Sequence, residues 1–218
     1  MNKRLWLPHL LMVCLFVSIS GCALKMHRTH PDFDARIGTV KNAILVPPDV
    51  NMFELSPAGI VTPRDDWSAA GSRNLKNAIS QDLKDKNRYL KPLVMDRQIA
   101  AELAEIVGLY RLVHKTMQQQ TFHPHQIPKD KHGFEYSLGS LEPILEKFGA
   151  DAMIFVSGYD RVSNPGRKAF IDLAIADSSG TILYYSVKGS MRGNDLRDPA
   201  SATSMVQELL SNFSRTEG

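Results

Sequence analysis

The sequence predicts an α/β fold of the α+β kind, a mixed β-sheet with an antiparallel meander at its carboxyl end, packed by about four helices. Apolar segments of strand length alternate with amphipathic helical segments over the first half of the chain. Near the carboxyl end, two strand segments are joined by a short turn sequence, as in a hairpin. Some strands are thus connected through helices and others through a hairpin turn. The two kinds of connection together imply a mixed sheet that helices cover on at least one face.

The amino end has the pattern of a secretory signal. Lys3 and Arg4 form a short basic stretch, and an apolar run follows from Leu5 to Ile19. This run is shorter than the roughly 20 residues that span a bilayer, so a stop-transfer anchor is the less favoured interpretation. The sequence therefore predicts a signal peptide over residues 1–21.

The segment Ile19-Ser20-Gly21-Cys22 resembles the lipobox of bacterial lipoproteins. The resemblance implies cleavage between Gly21 and Cys22, a diacylglycerol on the Cys22 thiol and a fatty acyl group on the new amine. It further implies an outer-membrane anchor with the domain facing the periplasm, because Ala23 stands where an Asp favours inner-membrane retention. An ordinary signal peptide with an incidental cysteine is the alternative.

Removal of residues 1–21 leaves 197 residues, which suits one domain and a tail. Residues 22–41 are polar and lack apolar periodicity, so we expect a lipidated tether there and a periplasmic α/β domain over residues 42–218. The mature chain has 24 basic and 23 acidic residues, a balance that argues against a nucleic-acid partner.

The cysteine count excludes thiol chemistry in the mature protein. Cys14 lies in the signal peptide and Cys22 carries the predicted lipid, and the chain has no other cysteine. An internal disulfide, a cysteine nucleophile and a thiolate zinc site are therefore all excluded. We expect no cofactor other than the covalent lipid.

The first half of the domain shows two strands and two helices. Residues 43–48 form an apolar segment that ends in two prolines, and residues 50–55 form a second extended piece. Leu75, Ile79 and Leu83 recur every fourth residue and predict a helix over residues 67–86. A strand is predicted over residues 91–95, and apolar residues three or four apart predict a helix from about residue 96 to residue 118.

The second half begins with a long polar loop over residues 118–137 and a short helix around Leu141 to Phe148. A buried strand is predicted over residues 152–159 and an alternating strand over residues 171–176. Asp177-Ser178-Ser179-Gly180 predicts a hairpin turn. The last elements are a returning strand over residues 181–188 and a helix over residues 199–213.

The stretch from Glu146 to Gly158, with its Gly149-Ala150-Asp151 turn, resembles a superfamily of bacterial envelope proteins. This superfamily includes the TolB amino-terminal domain, the CsgG-like curli export lipoproteins and lipoprotein activators of peptidoglycan synthases. The resemblance extends in element order over about residues 43–213 and implies the fold more than the function. Long amphipathic segments like those of the channel-forming members are missing, so a secretion pore is disfavoured.

Histidines in the polar loop form the first candidate site. His123, His125 and His132 could ligate zinc, with Asp130 and His114 nearby. Their spacing fits no established zinc motif, so an exposed loop that happens to be rich in histidine is the simpler explanation.

Two further groups are candidates for contact with a partner. Trp67 follows Asp65 and Asp66, and it suits either a partner anchor or a core position, while the two acids suit the capping of a helix. The basic residues near a predicted hairpin tip could contact anionic peptidoglycan or lipid head groups, although a solvated tip explains them more simply: Arg161, Arg167 and Lys168.

The expected function is that of a binding or structural module of the envelope, which docks a protein partner, associates with itself, or assists assembly or transport. Signatures of hydrolases and phosphate loops are missing, so we expect no enzymatic activity. The alternatives are a zinc-dependent envelope enzyme that uses His123, His125 and His132, and a subunit of an export assembly.

Overall fold

The computed structural model describes residues 23–122, 133–163, 167–190 and 193–213. The predicted signal peptide, Cys22 and the histidines His123, His125 and His132 lie outside the described residues. Within them the chain forms five helices and an eight-stranded mixed sheet, which confirms the predicted fold class. No helix in these ranges is both long enough and apolar enough to cross a membrane.

The sheet contains the strands β1 (Ala23–Thr29), β2 (Asn42–Leu45), β3 (Asp49–Leu55), β4 (Val61–Pro63), β5 (Tyr89–Leu90), β6 (Ala152–Ser163), β7 (Arg167–Asp177) and β8 (Ile182–Ser190). The helices are α1 (Phe33–Ile37), α2 (Asp65–Asp85), α3 (Arg97–Phe122), α4 (Glu142–Phe148) and α5 (Pro199–Leu209).

The long strand β6 organises the sheet. Along one side it pairs antiparallel with β7, which pairs with β8, which pairs with β1. Along its other side it pairs parallel with β2 at its start and with β3 over its second half. Pro47 and Pro48 separate β2 from β3, because proline cannot donate a ladder hydrogen bond. The short strands β5 and β4 border β2 and β3, respectively.

Helices cover both faces of the sheet. The first core cluster joins α1, α2 and α5 to one face, and the second joins α3 and α4 to the other. Alternate residues of β6 serve the two clusters, so Ile154 packs in the first and Phe155 in the second. The first five residues of the strand, 152–156, are all apolar because both faces of the sheet are buried there.

The motif Gly149-Ala150-Asp151 connects α4 to the sheet. Gly149 ends the helix with a φ of 58°, a left-handed conformation that favours glycine. The Asp151 carboxylate then accepts hydrogen bonds from the backbone N–H groups of Lys41 and Asn42, at 2.9 and 2.8 Å. The motif thus fixes the start of β2 beside the start of β6.

The predicted hairpin turn joins β7 to β8. The Asp177 carboxylate accepts hydrogen bonds from the backbone N–H groups of Ser179 and Thr181, and Gly180 takes a φ of 79°. A side chain on Gly180 would meet the backbone oxygen of Gly139, so this glycine is required by space as well as by conformation.

The prediction of a tether over residues 22–41 is wrong for the part that the structure describes. Strand β1 pairs with β8 over seven residues, and α1 follows it directly. Phe33, Ile37 and Val40 are buried in the first core cluster. The prediction failed because one short helix and one edge strand need only a few apolar residues, which do not form a recognisable period.

Several predicted boundaries also differ from the structure. The strand predicted over residues 91–95 is replaced by β5 at Tyr89–Leu90, since the chain leaves the sheet before Pro92. The third helix continues four residues further than predicted, to Phe122, and the last ends at Leu209.

The predicted capping of α2 by Asp65 or Asp66 is also wrong. Arg64 occupies the cap position without a side-chain hydrogen bond to the helix, and both aspartates lie in the first turn. Negative charges are favourable there because they face the positive end of the helix dipole.

Candidate functional site

A groove lies between helix α3 and the sheet. It consists of two adjoining cavities of about 400 and 540 Å³, which share the lining residues Asp49, His114 and Ser157. Both volumes are in the range of small-ligand sites. We call the two cavities together the α3 groove. The first is mostly apolar and contains Val46, Leu103, Val107 and Phe155, and the second contains Gln118, Phe122, Tyr159, Phe170 and Val187.

Polar side chains converge at the centre of the groove. The Nε2 atom of His114 lies 2.8 Å from the Oδ1 atom of Asp172, a contact without the alignment of a hydrogen bond. The Tyr185 hydroxyl lies 3.4 Å from the same nitrogen of His114. The Tyr110 ring stacks on His114 at 5.2 Å and on Phe155 at 4.1 Å, which fixes its orientation.

Two of these polar groups are buried with unused hydrogen-bonding capacity. Tyr110 is 4% exposed, and its hydroxyl has no hydrogen-bond partner among the described residues. Asp172 is 7% exposed, and its Oδ1 atom accepts no hydrogen bond from them. A buried polar atom without a hydrogen bond costs about 1–3 kcal/mol, so both positions favour a bound molecule that completes the bonding.

Burial keeps both tyrosines of the cluster neutral. It raises the pKa of Tyr110 well above the usual value, and the negative charge of Asp172 raises it further. The same two causes, in the same order, raise the pKa of Tyr185. At physiological pH both hydroxyls therefore keep their protons and can donate or accept a hydrogen bond.

The elements explain how these residues meet. Asp172 lies on β7 directly opposite Ser157 of β6. His114 is on α3, one helical turn after Tyr110, so both face the sheet. The arrangement can position a small polar group within an apolar groove, and it offers a carboxylate, an imidazole and two hydroxyls to that group.

A metal centre is not found in the described part of the chain. No three histidine, cysteine or acidic residues there are close enough to hold an ion. His114 and Asp172 alone provide fewer ligands than the three of a catalytic zinc site. The zinc hypothesis therefore rests on His123, His125 and His132, which lie outside the described residues.

The structure separates the three predicted basic contact residues. Arg161 and Lys168 are opposite each other on β6 and β7, on the α3 side of the sheet. Neither makes an ion pair within the described ranges. Arg167 points to the other side, where it forms ion pairs with the fully buried Asp160 and with Asp195.

Trp67 belongs to the same network as Arg167. The guanidinium carbons of Arg64 and Arg197 lie 4.0 and 4.2 Å from the centre of its ring. Arg197 in turn pairs with Asp195, which also binds Arg167. The half-buried ring packs against the first core cluster. Its contacts are those of a structural residue within the domain, and its predicted role as a partner anchor stays a prediction.

Asp65 and Asp66 do not form a shared site. Asp66 accepts two hydrogen bonds from Arg64, which lower the pKa of its carboxyl group. Arg64 also pairs with Glu54 at 2.7 Å. Asp66 and Glu54 are therefore both neutralised by Arg64 within the chain.

The sequence contains only a weak signal for the polar centre of the groove. In the sequence, His114 stands out only as a neighbour of the histidine-rich loop, and Asp172 only as a member of an alternating strand. The available signal is a single acidic residue within the otherwise apolar stretch 169–176. Burial of such a residue is costly, and here His114 lies beside it, with Nε2 at 2.8 Å from Oδ1, without forming an aligned hydrogen bond.

No family model matches the sequence, and the search of curated proteins finds no match. Among solved structures, the chain is similar to a PelC dodecamer from Paraburkholderia phytofirmans, with 11% identity, a TM-score of 0.38, and 88% of this chain and 96% of that chain covered. It is also similar to the lipoprotein GNA1162 from Neisseria meningitidis, with 14% identity, a TM-score of 0.38 and coverage of 81% and 99%.

A third similar structure is the LpoB C-terminal domain from Salmonella enterica, with 10% identity, a TM-score of 0.28 and coverage of 73% and 96%. All three TM-scores are below 0.5. The likeness is too loose to assign a site or an activity, so the proposals below are based on the residues of this chain.

Proposed function

We propose that this protein is an outer-membrane lipoprotein whose periplasmic domain binds an envelope protein partner through the α3 groove. The sequence Ile19-Ser20-Gly21-Cys22 supports the anchor, and the groove supports the binding role. The proposed role is that of a binding module, and the groove is the feature that supports it.

The observation that carries the binding role is the pair of incompletely bonded groups in the groove. Asp172 Oδ1 and the Tyr110 hydroxyl are both buried there. Folding alone would favour apolar residues at such positions, since a buried polar atom without a partner is destabilising. A bound molecule that forms hydrogen bonds with these two atoms removes this destabilisation. The same bonds make the groove specific for molecules that carry a matching polar group.

The groove also determines the chemistry of the partner. Asp172 as a carboxylate can only accept hydrogen bonds, so the bound group must donate one. The surrounding Leu103, Val107 and Phe155 require that this donor be carried on an apolar surface. We therefore propose that a segment of the partner inserts an apolar side chain into the groove and donates a backbone N–H or an amine to Asp172.

The lipid contributes by localisation. A module that is held at the membrane meets other anchored proteins at a much higher effective concentration than a free protein does. A groove of modest affinity can then form a persistent complex at the outer membrane, whereas the same groove in solution would exchange its partner rapidly.

Site-specific crosslinking in intact cells tests the role of the groove. A photoreactive amino acid at Arg111, which lines the groove, is compared with one at Lys76, on the exposed side of α2. We expect the Arg111 position to capture one envelope protein and the Lys76 position not to capture it. Because a hydrogen bond to a charged group contributes about 1.5–3 kcal/mol, Asp172→Asn should reduce this capture about tenfold or more.

Asp49→Asn is the matched control, because Asp49 lines the same groove but is exposed and pairs with Arg111 at the surface. Both variants are compared with the photoreactive group placed at Gln118. Asp49→Asn should leave the capture of the partner nearly unchanged, whereas Asp172→Asn should reduce this capture. Equal capture from both faces of the domain, or capture that is insensitive to Asp172→Asn in a folded variant, would refute the binding role of the groove. Capture of a second copy of the chain would identify the partner as the protein itself.

A further inference from the structure

The register of the sheet defines a line across five strands. Ala23 of β1 pairs with Ser190, Ser190 pairs with Ala169, Ala169 pairs with Asp160, and Asp160 pairs with Met52 of β3. These five residues are neighbours along the hydrogen-bonding direction. The twist of the sheet rotates the strands relative to each other, but it does not move a strand end to the opposite side.

The proposed lipid attachment lies at this same end of the sheet. Cys22 is bonded directly to Ala23, the first residue of β1, and consecutive Cα atoms are about 3.8 Å apart. Because β1 is fully paired with β8, no tether of free chain separates the acylated residue from the folded domain. The end of the sheet that contains Ala23 must therefore lie close to the bilayer. This step rests on the proposed lipidation of Cys22.

The residues beyond the line have the composition of a membrane-contacting surface. The hairpin between β3 and β4 exposes Ile60 at 64% and Val61 at 47%. Arg161 and Lys168 are opposite each other on β6 and β7 and form no ion pair within the described ranges. Phe53, the first residue beyond Met52, is half-buried, and its ring lies 5.4 Å from that of Tyr159.

The acidic groups at this end do not cancel these two cations. Glu54 and Asp66 are both held by Arg64, on the side of the sheet that α2 covers. Asp160 is buried and paired with Arg167. On the α3 side, Arg161 and Lys168 therefore remain available to anionic groups. Cationic residues beside exposed apolar residues are typical of surfaces that bind the head-group region of anionic bilayers.

We propose that this end of the sheet, with Ile60, Val61, Arg161 and Lys168, rests on an anionic phospholipid surface, with the hairpin between β3 and β4 at the level of the head groups. The lipid anchor holds the domain at the membrane, and this second contact fixes its orientation. The turn between β7 and β8 then points away from the bilayer. Eight residues of β7 separate Ala169 from that turn, so it lies about 26 Å further out.

Depth-dependent fluorescence quenching tests this orientation in the full acylated chain. The mature protein has no thiol other than the acylated Cys22, so Ile60→Cys and Ser178→Cys each introduce a single labelling site. Each labelled protein is inserted into vesicles of phosphatidylglycerol and phosphatidylcholine that contain a spin-labelled lipid. We expect a fluorophore at position 60 to be quenched at least about twofold more than one at position 178, because only the first reaches the interface.

The contribution of the two cations to the membrane contact is tested by combining Arg161→Glu and Lys168→Glu with the label at position 60. We expect reduced quenching in vesicles that contain phosphatidylglycerol, with flotation of the protein unchanged because the lipid anchor is intact. Replacement of Lys147 by Glu, on α4 near the opposite end of the sheet, should have no such effect.

The two proposals fail in different ways. If the protein floats with the vesicles but positions 60 and 178 are quenched equally, the domain has no fixed orientation and the membrane contact is refuted while the anchor stands. If the protein does not float and carries no fatty acid, the anchor is refuted, and the proposed contact is refuted with it.

Discussion

At the scale of single residues, Arg167 shows how the structure changes the meaning of a charged position. It lies one residue from Lys168, and both follow a predicted hairpin tip. Alternation along β7 directs Arg167 to the side where Asp160 is buried with no exposed surface. Burial raises the pKa of the Asp160 carboxyl group, and the positive charge of Arg167 opposes that increase. Arg167 therefore stabilises the fold, whereas Lys168 remains at the surface.

Replacement of Arg167 tests this distinction. Arg167→Met leaves the Asp160 carboxylate buried without its cation, and we expect the free energy of unfolding at neutral pH to fall by about 3–5 kcal/mol. Lys168→Met, the neighbouring change, should alter it by less than about 0.5 kcal/mol. Urea unfolding of the two variants and the unchanged protein measures both values.

The free energy of unfolding of the Arg167→Met variant should change with pH in a defined direction. Without Arg167, the pKa of Asp160 in the folded state rises further above its ordinary value, so the folded state binds more protons than the unfolded state in the window between the two pKa values. The variant should therefore regain stability as the pH falls from neutral toward the ordinary pKa of an aspartate. Similar losses for both variants, or an Arg167→Met loss that does not depend on pH, would contradict this account.

At the scale of elements, β1 and α1 belong to the domain. Strand β1 closes one edge of the sheet by pairing with β8 from Ala23 to Thr29. Helix α1 then places Phe33 and Ile37 against the first core cluster. The ring of Phe33 lies 5.8 Å from that of Tyr184, a residue of β8. Burial raises the pKa of Tyr184 to about 12, so its hydroxyl stays neutral and donates to the Leu209 carbonyl oxygen.

Truncation measures the contribution of these elements. A chain that starts at residue 42 loses β1, α1 and the buried side chains of Phe33, Ile37 and Val40. Full burial of one such side chain contributes about 1.5–3 kcal/mol, so we expect this chain to be at least about 4 kcal/mol less stable than one that starts at residue 23. Urea unfolding of the two soluble chains gives the difference directly.

Single substitutions provide a control that keeps the chain length. Ile37→Ala should lower the free energy of unfolding by about 2–4 kcal/mol, because Ile37 is fully buried. Asp34→Ala, at an exposed position of the same helix, should have little effect. If residues 23–41 can be removed without loss of stability, they are a tether after all.

At the scale of the whole molecule, the proposed anchor and the fold act together. Strand β1 starts immediately after Cys22, so the proposed lipid and the folded domain have no free chain between them. A rigid attachment restricts the orientation of the domain and therefore the direction in which the α3 groove faces. This restriction favours partners that are themselves held at the membrane.

Replacement of Cys22 tests the proposed anchor. Cys22→Ser removes the thiol that would carry the diacylglycerol, and we expect the protein to lose fatty-acid labelling and to leave the membrane fraction. Radiolabelled palmitate incorporation, membrane fractionation and the mass of the processed chain measure the change. A neighbouring change, Ala23→Ser, should retain labelling, since it leaves the thiol in place. If labelling, fractionation and mass are unchanged by Cys22→Ser, the anchor is refuted.

Local patterns in the sequence were sufficient to predict most of the helices and strands of the fold. The four-residue spacing of Leu75, Ile79 and Leu83 predicted α2, and the turn at residues 177–180 predicted the hairpin of β7 and β8. Each of these signals lies within a short stretch of chain, where the period of the apolar residues matches the geometry of the element. The mixed sheet followed from the order of those elements.

Only the tertiary structure decided which distant residues meet. Strand β1 is stabilised by pairing with β8, which lies more than 150 residues away in the sequence. The sequence of β1 itself therefore gives little sign that it forms a strand. His114 and Asp172 lie 58 positions apart and form the centre of the groove because α3 crosses β7 there. The sequence by itself determined most of the local helices, strands and turns, and it contains the pattern that predicts a lipidated amino end. The edges of the domain and the candidate site depend on long-range contacts, which no local period records.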